Sequence, residues 1–245
     1  MGFYEELSKY YDIVFPVTND KVSFVHNKSI NKSRILDVAC GTGGYSIALS
    51  KLGHTVHGID LDKEMIESAI RKARNEGLDI YFRHGDMKDI FNIFKENKYD
   101  TIFCIGNSLV HLNSELEIEQ FIHDTYKMLN DNGKAIIQIV NYDRILDFGV
   151  DYLPTIIRDE ERLKFIRRYE YNNDSNKIYF NTELSIEKDN NVEKYVNSVL
   201  LLPLRSNVLA KMLMDAGFKE VDMYGSFNED KHIIQSFATI AVASK

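Results

Sequence analysis

Ile35-Leu36-Asp37-Val38-Ala39-Cys40-Gly41-Thr42-Gly43-Gly44, followed after one helix-length segment by Ile59-Asp60, is the stretch that decides the fold. Residues 35–38 form a short apolar run that stops at a glycine-rich turn, the pattern of a buried strand entering a loop. Glycines at a strand-to-helix turn let a ligand approach the backbone closely, and an acid ending the next strand is placed to bind ribose hydroxyls. Details choose the ligand. A dinucleotide fingerprint would have its third glycine where Ser46 stands. Asp37, at the end of the strand, would lie beside a pyrophosphate and repel it. A carboxylate there suits a cationic, phosphate-free ligand that carries an ammonium group. The plainer alternative is that Asp37 caps the turn and the glycines only tighten it.

Outward from this stretch, helix and strand patterns alternate as far as residue 140. Residues 3–13 read as an amphipathic helix, with Phe3, Leu7 and Tyr10/Tyr11 at helical spacing and Pro16 as its stop. A helix over 45–52 closes at Gly53, a strand covers 55–59, and a helix over 63–75 has Gly77 beyond it. Strands at 80–82 and 99–105, a helix over 115–129 and a strand over 133–140 complete the series. An Asn130-Asp131-Asn132-Gly133 turn precedes the last of these. Strands separated by helices imply parallel crossovers and a doubly wound α/β sheet.

Past residue 150 strand follows strand: 164–171, 177–187 and 193–202, with polar turns at 172–176 and 189–191. Adjacent strands pair antiparallel, so residues 150–204 read as a β-rich cap inserted after the fifth strand. Residues 1–149 and 205–245 form the core. A helix over 207–216 ends at Gly217, and strands over 219–224 and 235–243 bring the main sheet to seven strands.

Composition narrows the partners. The 245 residues hold 30 Lys+Arg against 37 Asp+Glu, a net charge of −7, without the basic footprint of a nucleic-acid reader. A small-molecule substrate is the better expectation. No apolar run approaches the roughly 18 residues of a membrane span. Two cysteines, Cys40 and Cys104, make neither a disulfide framework nor a zinc cluster and fit a reducing cytoplasm.

In the acidic strand end, Asp37, and the Gly41-Thr42-Gly43 turn the chain resembles the class I S-adenosylmethionine-dependent methyltransferases, well over residues 34–140 and more loosely beyond. The resemblance implies S-adenosylmethionine as cofactor, held by Asp37, Ala39, Cys40, Gly41, Thr42 and Gly43, with Ile105 at the end of the fourth strand. It implies Asp60 on the ribose hydroxyls, Leu61 and Met65 against the adenosine, Asp86 on the adenine amino group and Met87 on the ring. The plainer readings are Asp86 as the N-cap of a short helix and Met65 as core.

The acceptor side excludes two classes. After the fourth strand stands Gly106-Asn107-Ser108-Leu109, without the polar-Pro-Pro-aromatic tetrapeptide of base-amino methyltransferases of DNA. The same strand ends without an acid, which disfavours an octahedral magnesium site, and no metal is expected. Three segments are similar to the glycine N-methyltransferase branch. These are residues 36–43 with Ala39 where most relatives have Gly, Gly106-Asn107-Ser108-x-x-His111-Leu112, and Asn141-Tyr142-Asp143-x-Ile145-Leu146. The branch implies Asn107 on the substrate, His111 beside the cofactor's methionine end and Tyr11 at the transfer site. His111 is a general base or only a contact residue. The branch also has an arginine before Asn-Tyr-Asp that pairs with the substrate carboxylate, and here that residue is Val140. Arg144 and Arg205 are the candidate substitutes, with Arg205 equally suited to anchoring the cap. The expected acceptor is therefore a small amine without an adjacent carboxylate. An amino-sugar N-methyltransferase, a small-molecule O-methyltransferase and a non-catalytic S-adenosylmethionine-binding regulator are the alternatives. Cap tyrosines Tyr152, Tyr169, Tyr171, Tyr179 and Tyr195 line the pocket or pack. The oligomeric state stays open, a homodimer among the options.

Overall fold

Continuous apolar runs such as Ile35-Leu36 and Ile102-Phe103-Cys104 belong to strands buried on both faces, because successive side chains point to opposite sides. A computed structural model, describing residues 3–95, 97–188 and 191–245, has this arrangement. Leu36, Val38, Ile102, Cys104 and Ile137 pack on one face of a central sheet, and Ile35, Val56, Phe103, Ile136 and Ile240 on the other.

The central sheet holds β1 (Arg34–Val38), β2 (Thr55–Asp60), β3 (Tyr81–His84), β4 (Tyr99–Cys104), β5 (Leu129–Val140), β10 (Glu220–Tyr224) and β11 (Ala238–Ser244). Their order is β10-β11-β5-β4-β1-β2-β3. The pairs among β1 to β5 are parallel, and β11 runs antiparallel to both β5 and β10. Helices α1 (Phe3–Val14), α2 (Asn19–Lys28), α3 (Gly44–Lys51), α4 (Lys63–Asn75), α5 (Ile90–Phe94), α6 (Glu115–Met128), α7 (Tyr142–Phe148) and α8 (Ser206–Asp215) accompany it. Single 3₁₀ turns cover Met87–Asp89 and Leu109–His111. Four antiparallel strands, β6 (Tyr152–Arg158), β7 (Leu163–Asn172), β8 (Lys177–Lys188) and β9 (Asn191–Leu201), form a second sheet in the order β6-β7-β8-β9. This is the expected doubly wound seven-stranded sheet with a β-rich cap after β5.

Side chains fix the helix starts. Asp62 accepts from the Met65 amide at 3.0 Å, and Ser114 from the Glu117 amide at 3.2 Å. Asn141 caps α7 through the Asp143 and Arg144 amides, while its own amide donates to the carbonyls of Ile233, Ile234 and Ser236. That second set of bonds holds residues 233–236 outside the sheet, so β11 begins at Ala238 and not at 235. β3 is likewise displaced, running to His84.

Five other features depart from the expectations. α2, α5 and α7 are helices that the sequence pattern did not disclose, each short and without a clean apolar period. β6 carries Pro154, which a strand tolerates at a sheet edge or a bulge, and β6 has both. The Asn130–Gly133 stretch, numbered 130–133, is a bulge inside β5. Pairing slips there from Tyr99↔Leu129 to Thr101↔Lys134, with Asn132 at φ +64°. In the turn at 189–191, Asp189 and Asn190 lie outside the described residues.

Candidate active site

Parallel sheets leave a crevice at the carboxyl ends of their strands, where the chain reverses between layers. Here a cavity of about 490 Å³ opens at the ends of β1, β2 and β4, floored by Ala39, Gly41, Ile59 and Asp60. The turn after β1 is built from left-handed residues: Ala39 at φ +59°, Gly41 at +54° and Gly43 at +74°. Ala39 adopts that conformation at a strain of about 1 kcal/mol, which a glycine would avoid. The Gly41 amide donates to Asp60 Oδ2 at 2.7 Å, and the Asp62 amide to Asp60 Oδ1 at 2.9 Å. One carboxylate therefore fixes the loop and still presents lone pairs to the cavity. A Cβ on Gly41 would stand 3.1–3.3 Å from the Tyr11 ring, so α1 closes directly over the loop.

α1 is fastened there. Thr42 donates to Asp12 at 2.6 Å, and Lys72 of α4 donates to Asp12 at 2.7 Å and to Thr42 at 3.1 Å. Sequence reasoning missed Asp12 and Lys72, which no local pattern connects to the glycine turn.

Of the residues singled out in the sequence, the structure brings Tyr11, Ala39, Gly41, Asp60, Leu61, Met65, Asp86, Met87 and His111 to the cavity wall. Met65 is both buried and lining. Asp86 lines the cavity and also N-caps the following 3₁₀ turn through the Lys88 amide at 2.9 Å, so both of its readings coexist. Leu7, Ser108, Lys88, Leu112 and Asn113 join the lining without having been foreseen.

The remaining candidates sit behind the wall. Asp37 is buried and accepts from Ser46 Oγ at 2.6 Å. Cys40 packs its sulfur in the core beside Gly58, Gly43 packs against Phe82 and Ala69, and Ile105 is core. Thr42 belongs to the α1 fastening. Asn107, at φ +72°, turns its carboxamide inward: Oδ1 accepts from the Val140 amide at 2.9 Å and Nδ2 donates to the Tyr142 hydroxyl at 3.1 Å.

Electrostatics favour a cation. Burial pushes the Asp37 carboxyl up to about 7, partly opposed by the Ser46 hydrogen bond and reinforced by Asp60. Burial also raises Asp60, against the pull of its backbone donors. Two enclosed carboxylates that disfavour each other's charge are relieved by a positive ligand. Burial, then the fields of Asp60 and Asp37, keep the Tyr11 hydroxyl protonated far above its ordinary range. Partial desolvation lowers the pKa of His111, an exposed residue whose ring hydrogen-bonds to no described residue.

Comparison with known proteins agrees with this geometry. Residues 35–133 match the family model of a methyltransferase domain. The chain is 29% identical over 218 residues to a glycine/sarcosine N-methyltransferase of Aphanothece halophytica, covering 89% of this chain and 78% of that one. The chain is a class I S-adenosylmethionine-dependent methyltransferase. This methyltransferase shares its fold with an S-adenosylmethionine-dependent methyltransferase from Clostridium acetobutylicum, at TM-score 0.82 and 18% identity over 98% of each chain. It also shares it with CalS10, an amino pentose methyltransferase of Micromonospora echinaspora with S-adenosylmethionine bound, at TM-score 0.70 and 15% identity over 100% and 97%. The cofactor of the methyltransferase is S-adenosylmethionine, and the residues fit it. Asp60 and Asp86 present carboxylates to the cavity, Asp37 lies buried behind its wall, and the turn approaches the cavity with backbone alone. Among the described residues, no helix is long and apolar enough to cross a membrane.

The expected substitutes for the missing arginine are engaged elsewhere. Arg205 binds Asp147 at 2.7 Å and Asp143 at 3.2 Å, and Arg144 lies over the Phe237 ring at 4.6 Å. Arg205 thus ties the end of the cap to α7.

Proposed function

We propose that the enzyme methylates the amine nitrogen of a small-molecule acceptor held between α1, the 106–112 segment and the cap. His111 carries this reading. Its imidazole lines the cavity at an exposed position, has no hydrogen-bond partner among the described residues and has its pKa lowered by partial desolvation, so a ring nitrogen is available to take the amine proton. S-adenosylmethionine, when bound, supplies an activated methyl group on a sulfonium. The residues of this chain bind, orient and exclude water. Asp60 holds the ribose hydroxyls, Asp86 and Met87 the adenine, and Tyr11, backed by Phe15 at 5.3 Å between ring centroids, shields the transfer site.

In this reading residues 1–149 and 205–245 are the cofactor-binding core and residues 150–204 the acceptor cap. Asn107 sets the acceptor wall by fixing Val140 and Tyr142. The glycine/sarcosine relative and the amino pentose enzyme both act on amino compounds, which supports an amine and leaves two acceptor types. An amino sugar is the second reading, supported by the full-length fold match that includes the cap. Buried free Cys40 and Cys104 suit a reducing cytoplasm, and the net charge of −7 argues against nucleic acid as acceptor.

Methyl-labelled S-adenosylmethionine offered with glycine, sarcosine, amino sugars, tRNA and DNA tests the proposal. Label on a small-molecule nitrogen, insensitive to chelator, is expected. Label on tRNA, on DNA or on a hydroxyl oxygen would overturn it.

A further inference from the structure

The inner face of the cap is apolar at both ends and charged in the middle. Alternation along β7 puts Leu163, Phe165, Arg167 and Tyr169 on one face. Leu163 and Phe165 pack with Leu7, Val14 and Tyr11 of α1, whereas Tyr169 joins the main core cluster. Arg167 lies between them, directly across from Leu153 on β6 and the buried Thr182 on β8.

The local contacts of this cation are few, and one of them is the Phe165 ring at 6.0 Å. Its one hydrogen bond runs from a terminal guanidinium nitrogen to the Pro154 carbonyl at 2.7 Å, across the β6 bulge. Its Nε is buried and unpartnered, and so is the hydroxyl of Tyr169, itself only 6% exposed. No carboxylate of a described residue lies within ion-pair distance. Its neighbour Tyr169 in turn acts electrostatically on Tyr142, whose hydroxyl is bonded to Asn107. Ring contacts link the guanidinium to Tyr11 of the cavity wall through Phe165 and Phe15, and Tyr169 leads to Asn107 through Tyr142. A half-buried cation whose Nε is buried and unpartnered, beside a buried hydroxyl also short of an acceptor, is unfavourable unless an anion completes the pair.

We propose that Arg167 and the Tyr169 hydroxyl form an anion subsite for the methyl acceptor, taking the carboxylate of an amino-acid-like amine. The cation that Val140 does not supply comes instead from the cap, on a different element and from the opposite side. The subsite rests on the small-amine reading above and narrows it, against the sequence-based expectation, to amines that carry a carboxylate. Planar guanidinium geometry matches a carboxylate through two parallel N–H donors, which lysine does not reproduce.

The test uses the enzyme loaded with S-adenosylhomocysteine and two probes, sarcosine and the amine-free carboxylate acetate. Calorimetry or chemical-shift titration gives their affinities. Arg167→Met, which keeps the apolar stem, should weaken both at least tenfold, leave cofactor affinity within twofold and leave the melting temperature unchanged or raised. Arg167→Lys should recover part of the loss. With turnover, Arg167→Met should raise KM for sarcosine while a decarboxylated amine of similar size is unaffected. Equal binding of both probes by Arg167→Met and the unaltered enzyme would overturn the subsite, as would failure of the unaltered enzyme to bind either. Carboxylate binding that depends on Arg167 without transfer to any amine would leave the subsite standing and refute the N-methyltransferase reading.

Discussion

Asp60→Asn separates the two duties of one carboxylate. Asp60 accepts the Gly41 and Asp62 amides at 2.7 and 2.9 Å, one on each oxygen, and offers its remaining lone pairs to the cavity. Asparagine keeps one acceptor oxygen, which can hold one of the two backbone donors, and turns an NH₂ toward the other. In the proposed binding mode, ribose hydroxyls that meet a charged acceptor would then meet a neutral amide with a single acceptor atom. A hydrogen bond to a charged group contributes about 1.5–3 kcal/mol, so losing one weakens S-adenosylmethionine about 10- to 150-fold. Folding should respond differently. Burial raises the Asp60 pKa despite its two donors, which means that the ionised form is disfavoured in the native state, and a neutral side chain relieves that burden. The melting temperature without ligand should therefore stay within about 3 °C, roughly a 1 kcal/mol change for a chain of this size. Calorimetric titration with S-adenosylmethionine and S-adenosylhomocysteine, beside thermal melts, reads both quantities. Unchanged cofactor affinity would refute Asp60 as the hydroxyl acceptor. A large drop in melting temperature with the affinity preserved would make it a loop brace alone.

Gly41→Ala should lower cofactor affinity and turnover together, because φ +54° costs alanine about 1 kcal/mol and the new Cβ displaces the Tyr11 ring; a crystal structure showing Tyr11 unmoved would contradict this. Asn141→Ala removes the α7 cap and strands three carbonyls of residues 233–236, so denaturant melts should report a loss of about 2–4 kcal/mol. Asp37→Asn tests the pH balance. The folded pKa, near 7, lies above the unfolded value of 3.8, so the native state holds the proton longer, and stability falls as pH rises from about 4 to 7. The neutral variant should match the unaltered protein at pH 5 and melt higher at pH 8, whereas identical melting curves at both pH values would show Asp37 to be an ordinary carboxylate.

The part of the site that was legible in the sequence is the part made by neighbours in the chain. Gly41 and Asp60 sit at two consecutive strand ends, so spacing alone brings them to the cavity wall, with Asp37 buried behind it, and the family resemblance locates Asp86 and His111 in the same way. What was not legible depends on distant partners. Asp12 and Lys72 meet at Thr42 only because α1 folds back across α4. The direction of the Asn107 carboxamide depends on Val140 and Tyr142, contributed by another strand and helix. β6 was hidden by Pro154, which reads as a breaker unless the strand is known to lie at an edge. Arg167 looked like any strand arginine, since its meaning comes from the register of β7 against β6 and β8. Hydrophobic period reports which way a side chain points but not what waits there.

α1 shows why cofactor and acceptor sites are better treated as coupled than as adjacent. Its Tyr11 ring covers Gly41 on the cofactor side, while Leu7 and Val14 pack with Leu163, Phe165, Leu184 and Ile186 of the cap. Arg158 of β6 donates to the Ile13 carbonyl at 2.8 Å, and Lys188 of β8 reaches the buried Glu6 at 3.5 Å. Moving α1 away from the glycine turn therefore breaks contacts with the cap, and shifting the cap loosens Tyr11. Ligands that each favour the closed position of one helix favour each other's binding, and linkage makes that preference equal in both directions. Acceptor affinity should consequently be higher in the presence of S-adenosylhomocysteine than in its absence. Asp12→Ala, which removes the Thr42 and Lys72 bonds without touching either ligand, should reduce that coupling more than it reduces either affinity alone.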